Sequence, residues 1–289
     1  MFLSITLLSI VFVILLPENV YAWGPATHLE LASDILHNIN LLTPDIRNLL
    51  VKFPYDYLYG NISADIVVAK NLSEELKHCH NWKIGLNILR KASTPSQRSF
   101  AYGYLSHLAA DTVAHNYYIP EKLILSFSSR ILRHTYWELR FDAMADKMVW
   151  SLPRQIAREV YMDNDKLLNS VLEGTPLSFR TNKTIFSGIL MIHRFEQWHR
   201  MLGLLSSSSK WKLTYEDKKY YYQLSLGVVR DFLVNGSKSF CVTEDPTGKA
   251  RLATAKKMRR KLKTLKWNNK DWEGAVINAI QAIKQPHDI

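Results

Sequence analysis

YLSHLAADTVAH at residues 104–115 and, beyond Pro120, HTYWE at residues 134–138 are the segments on which the fold class turns. His107, Asp111 and His115 stand four residues apart, and so do His134 and Glu138. On a helix that interval is close to one turn, so each set aims imidazoles and carboxylates from one face toward one point. Neutral imidazole and ionised carboxylate make the mixed nitrogen and oxygen donor set that zinc takes. One H-x-x-x-D pair is more often an ordinary surface or helix-end pair. Three such elements between residues 104 and 138 point instead to metal ligands on a helical scaffold.

The helix bearing His107 and Asp111 reads back through Leu105, Tyr104 and Phe100 to a start at Thr94-Pro95, where proline is tolerated. Farther upstream, a helix beginning near Thr27 carries Leu29, Leu31, Ala32, Ile35, Leu36 and Ile39, with His28 in its first turn. A short helix follows at 44–51, and residues 53–60 read as aromatic and turn-rich. Asp65 reads as a helix cap or pair. In His78-Cys79-His80-Asn81-Trp82 the two histidines would diverge by about 200° on a helix, so only one of them can enter a shared site. Helix signals resume over 84–92.

Pro120 reads as the end of the central segment, with one or two helices over 121–150 and an interruption at Pro153. Helical periodicity continues over 155–172, 184–205 and 214–234, broken at Gly174-Thr175-Pro176, Ser206–Ser209 and Asn235-Gly236. His193 and His199, six apart, do not share a face and read as packing or surface residues. No strand alternation, repeat, nucleotide-binding glycine loop or nucleophile elbow interrupts this inventory. The expectation is an all-α, single multi-helix domain over residues 23–289.

The 289 residues carry 37 basic and 26 acidic side chains, a net charge of +11 that favours a negatively charged substrate or surface. Charge alone does not separate phospholipid headgroups from nucleic acid. Residues 1–22 read as a signal peptide: an apolar run from Phe2 to Leu16, a Pro17-Glu18-Asn19 breaker and a cleavage region ending at Ala22. The expectation is a secreted or periplasmic protein beginning at Trp23, or a membrane-anchored one where the segment is not cut. A freed Trp23 would offer its α-amine and carbonyl as a chelate, with His28 adding an imidazole. Cys79 and Cys241 have no assigned role, and sequons at Asn61, Asn71, Asn182 and Asn235 matter only in a glycosylating host.

Residues 249–266 hold Lys249, Arg251, Lys256, Lys257, Arg259, Arg260, Lys261, Lys263 and Lys266 and no acid. Leu252, Ala255, Met258, Leu262 and Leu265 run through them at helical spacing, giving a basic amphipathic helix. Its apolar face can pack on the domain, and its basic face can meet an anionic membrane surface or a polynucleotide.

Taken in order, Trp23, His28, Asp65, a histidine beside Trp82, His107-x-x-x-Asp111, His115 and His134-x-x-x-Glu138 resemble the zinc-dependent phospholipase C family. The single-strand-specific nucleases share that trinuclear zinc fold. The resemblance implies three zinc ions. Trp23, His28 and Asp111 would hold one, Asp65, His80, His107 and Asp111 a second, and His115, His134 and Glu138 a third. His80 is preferred to His78 because Asn81 and Trp82 follow it. The four-residue step from Asp111 to His115 is shorter than in characterised members, which implies a different geometry at the third site. The activity implied is phosphodiester hydrolysis of phospholipid by a zinc-activated water, with Asp65 as candidate general base. A nuclease, or a catalytically silent metal-stabilised module that binds membranes, is the alternative.

Overall fold

Proline opens one helix after another in this chain, because the first turn has no use for the missing N–H. The computed structural model describes residues 23–66, 79–129, 134–152, 156, 161–172, 178–192 and 211–284. Helices α1 (Pro25–His37), α2 (Pro44–Lys52) and α3 (Pro54–Ser63) all begin this way. Helix α4 (Trp82–Lys91) is capped by the Asn81 side chain, which accepts from Lys83 N, and α5 (Pro95–Val113) by Thr94, which accepts from Gln97 N. A π-helical turn, Ala114–Tyr118, joins α5 to α6 (Ile119–Leu125). Then come α7 (His134–Asp142), α8 (Met162–Asn169), α9 (Phe179–Ile192), α10 (Tyr215–Asn235), α11 (Lys249–Trp267) and α12 (Glu273–Lys284). The described residues contain no strand, as the all-α expectation requires, and no helix long and apolar enough to cross a membrane.

Helix α5 is the hub, with α3, α4 and α10 packed along it. Nearly every side chain from Ser99 to Val113 is buried, so its polar residues face other helices rather than water. Helices α3 and α5 cross closely, because Gly60 and Gly103 meet there. A Cβ on Gly60 would stand 2.1 Å from the Phe100 carbonyl oxygen, and one on Gly103 would stand 2.1 Å from the Tyr57 carbonyl oxygen. A main apolar core surrounds this crossing. A second, smaller core joins Ile124 and Phe127, at the end of α6 and just beyond it, to Ala255 and Leu262 of α11 and Ile283 of α12.

Several sequence expectations need correction. Residues 53–60 are not turn-rich: from Pro54 onward they are helix α3, whose aromatic residues Tyr57 and Tyr59 are buried in the core. Pro120 does not end the central segment. The wider π turn before it and its place in the first turn of α6 let the chain continue helically. Of the run 155–172, Met162–Asn169 is helical, and of the run 184–205 the described part belongs to α9. The proposed signal peptide, His78, His193 and His199 lie outside the described residues. Cys79 and Cys241 are both buried and are not bonded to each other. Asn61 and Asn182 are buried too, which leaves no room for a glycan on either side chain in this fold.

Candidate metal centre

Helix α5 presents His107 and Asp111 on one face, as their spacing dictates, and three other segments close on that face. The first turn of α1 brings His28, the turn after α3 brings Asp65, and the segment leading into α4 brings His80. Asp111 stands at the middle. Its Oδ1 lies 3.2 Å from His28 Nε2, and its Oδ2 lies 3.2 Å from both His80 Nε2 and His107 Nε2. His80 Nε2 is also 3.2 Å from Asp65 Oδ1 and 3.0 Å from His107 Nε2. The His28 and His107 rings stack with centroids 3.8 Å apart. All five side chains are buried.

Two donor groups follow, one of His28, His107 and Asp111 and one of Asp65, His80 and His107, each with its ligand atoms within 4.8 Å of one another. The Asp111 carboxylate is split between them, one oxygen toward each. A third group joins His115 to His134 and Glu138, where His134 Nε2 lies 2.7 Å from Glu138 Oε1 and the His115 ring meets the His134 ring edge-on at 4.9 Å.

The donor set suits zinc on physical grounds. Both oxygens of Asp111 and both ring nitrogens of His28 are buried and make no hydrogen bond, although imidazole and carboxylate stand close enough to do so. Buried polar atoms that converge without pairing are costly unless a cation sits among them. Asn61 fixes the tautomer of His107: its main-chain carbonyl, 2.7 Å from Nδ1, can only accept, so Nδ1 carries the proton and the lone pair lies on Nε2, inside the cluster. Burial opposes ionisation of Asp111, but His107, His28 and His80 outweigh it and hold the carboxyl well below the usual carboxylate range. Burial, reinforced by the stacked His107, lowers the pKa of His28 against the pull of Asp111. The result is an ionised carboxylate and a neutral imidazole, the forms in which these groups bind a metal.

The surroundings hold these ligands in place. The indole of Trp23 is fully buried, packed 3.9 Å from the Phe141 ring and 4.8 Å from the Tyr118 ring, and its Nε1 donates to the carbonyl of Ala110 beside Asp111. Asp142 accepts from both the backbone N and the hydroxyl of Thr27, pinning the turn that carries His28. Burial raises the Asp142 carboxyl to about 6, against those hydrogen bonds. The Tyr104 hydroxyl donates to the carbonyl of Cys79, steadying the segment that carries His80.

His115 owes its direction to the π turn. Continued α geometry would leave it on the face of His107 and Asp111, whereas the wider turn directs it to His134 and Glu138. Gly248, at φ +57°, lies against this turn, and a Cβ there would be 2.3 Å from the His115 carbonyl oxygen. The Asn116 side chain donates to the carbonyls of Thr112 and Asp245, tying the same turn to the loop before α11.

Sequence reading missed Asn61, Gly60, Gly103, Asn116, Asp142 and Gly248. Only Asp142 had a signal, lying one helical turn beyond Glu138. A family model described as zinc dependent phospholipase C matches residues 27–182, which include every candidate ligand side chain from His28 to Glu138. No curated protein and no solved structure matches the chain.

Proposed function

The chain belongs to the zinc-dependent phospholipase C family, and we propose that it cleaves a glycerophospholipid at the bond between glycerol and phosphate, releasing the phosphorylated headgroup. The observation that carries this reading is the convergence of eight buried side chains into three donor groups within the stretch that the family model matches. Those side chains would hold zinc at each group. With residues 1–22 removed on export, the Trp23 amine and carbonyl would join His28 and Asp111, which the anchoring of its indole beside Asp111 supports. Bound zinc would supply Lewis acidity at the phosphoryl group and a water acidic enough to attack at neutral pH.

The chain's own residues do the rest. Asp111 spans two donor groups through its two oxygens and so fixes their separation. Asp65, with Oδ1 toward His80, accepts the proton of the water that attacks phosphorus, and the glycerol oxygen takes up a proton as its bond to phosphorus breaks. Asn61 and Tyr104 hold the imidazole-bearing segments so that no reorganisation is needed as charge develops.

The test combines zinc analysis of the processed protein with turnover on phosphatidylcholine vesicles and on single-stranded DNA, for the wild type and Asp111→Asn. About three zinc ions per chain, headgroup release and loss of both in the variant are expected. The loss of activity should exceed the 10–100-fold typical of a group one step removed from a metal. Cleavage of DNA alone would assign the centre to a nuclease. Full zinc without turnover on either substrate would leave a metal-stabilised module.

A further inference from the structure

The basic helix α11 spends its apolar stripe inside the protein. Leu252, Ala255 and Leu262 are buried, with Met258 and Leu265 packed beside them against α12 and the end of α6. It therefore has no apolar face left to lay into a bilayer, as an isolated amphipathic helix would. What it offers instead is the opposite face. From Lys249 to Lys270 the sequence has no acidic residue, and Lys257, Arg260, Lys261, Lys263 and Lys270 are exposed. At the helix's last residue stands Trp267, 88 % exposed and the most exposed large hydrophobic side chain among the described residues. Seven and four residues before it, Arg260 and Lys263 lie on its side of the helix.

We propose that this face docks the protein on an anionic phospholipid membrane, with Trp267 entering the headgroup layer and Arg260 and Lys263 meeting lipid phosphates. An indole has an apolar body and a polar N–H, the combination that settles at a membrane interface. Basic side chains are drawn to the negative surface potential of acidic lipids and are screened by salt. A polynucleotide fits the face less well. Strand-binding proteins stack successive bases on several aromatic side chains along a groove, whereas here one tryptophan projects from a helix end. None of Arg260, Lys263 and Trp267 belongs to the three donor groups, so the docking proposal does not depend on what the metal centre cleaves.

The test is co-sedimentation of the full processed protein with phosphatidylcholine vesicles, with and without phosphatidylserine, over a range of salt. The variants are Trp267→Ala, Arg260→Ala/Lys263→Ala and Asp111→Asn. Binding should require phosphatidylserine and fall as salt rises. The double variant should bind roughly twenty-fivefold more weakly, at about fivefold per basic residue near a charged surface. Trp267→Ala should bind more weakly at every salt concentration. Both should keep wild-type thermal stability, zinc content and cleavage of a soluble short-chain phospholipid, while Asp111→Asn should still bind vesicles. Equal binding with and without phosphatidylserine, or unchanged binding by both docking variants, would overturn the proposal. So would retention on single-stranded DNA with no vesicle binding. Loss of turnover in a protein that still docks bears on the metal centre alone.

Discussion

Replacing Gly103 with alanine should loosen the metal centre without touching any ligand. The new Cβ would lie 2.1 Å from the Tyr57 carbonyl oxygen and 2.9 Å from the Gly60 Cα, where real Cβ contacts essentially never fall below 3.0 Å. Both neighbours are backbone, so no side chain can swing away, and α3 and α5 must part by about an ångström. Overpacking of this kind costs about 1–3 kcal/mol. The same displacement acts on the hydrogen bond from His107 Nδ1 to the Asn61 carbonyl, now 2.7 Å, because Asn61 follows Gly60 and His107 lies one turn past Gly103. Adding about an ångström takes that contact beyond hydrogen-bond range and releases the His107 ring. Urea unfolding and zinc titration should therefore both shift. Gly227→Ala is the control, since a Cβ there meets nothing within 4 Å and should stabilise α10 by about 0.5–1 kcal/mol. A Gly103→Ala protein that unfolds at the wild-type urea concentration and binds zinc as tightly would refute the reasoning.

Gly248→Ala should cost about 1–2 kcal/mol for the left-handed conformation alone. With the clash against His115 added, metal analysis should show zinc lost from the His115, His134 and Glu138 group before the other two. Lys122 is buried between Glu121 (3.0 Å) and Asp217 (2.8 Å), and Tyr221 donates to Glu121. Lys122→Ala removes the cation these acids share and should lower unfolding free energy by about 3–5 kcal/mol. Asp142 supplies a pH signature. Its folded pKa is raised to about 6 from 3.8, so the native state binds the proton more tightly than the unfolded chain does. Its contribution to stability is greatest below pH 4, falls as pH rises to 6 and stays low above that. Asp142→Asn should remove up to about 3 kcal/mol of that decline, read as the difference between the two proteins' stability–pH curves.

The helical class was legible because polar and apolar residues repeat at helical spacing around prolines and caps. The pairing of His134 with Glu138 and of His107 with Asp111 was legible for the same reason, since one turn of helix brings such residues into contact whatever surrounds them. The choice between His78 and His80 was harder. His80 stands 3.2 Å from Asp65 and Asp111, while His78 lies outside the described residues. What the sequence hid is of two kinds. Asn61 acts through its main-chain carbonyl, which every residue type possesses, so no side chain marks it. Gly60 and Gly103 matter only as a pair, and 42 residues of chain lie between them. The π turn at Ala114–Tyr118 has no residue signature, so the departure of His115 from the shared face could be expected only as an unusual interval.

The loop at 244–248 has a consequence for how the molecule assembles. Asn116 reaches Asp245 across 129 residues of chain, and the Trp82 indole reaches the Glu244 carbonyl across 162. Contacts so distant in sequence carry a large closure entropy and form after local helices have condensed. During synthesis all eight candidate ligand side chains are therefore made well before the segment that braces the His115 turn. Zinc met during that interval finds the histidines and acids mobile, and captures them in whatever pairing comes first. Timing of metal supply should then set the yield of correctly liganded protein. Refolding with zinc added from the start should give more misligated species than refolding with zinc added once the tail has docked.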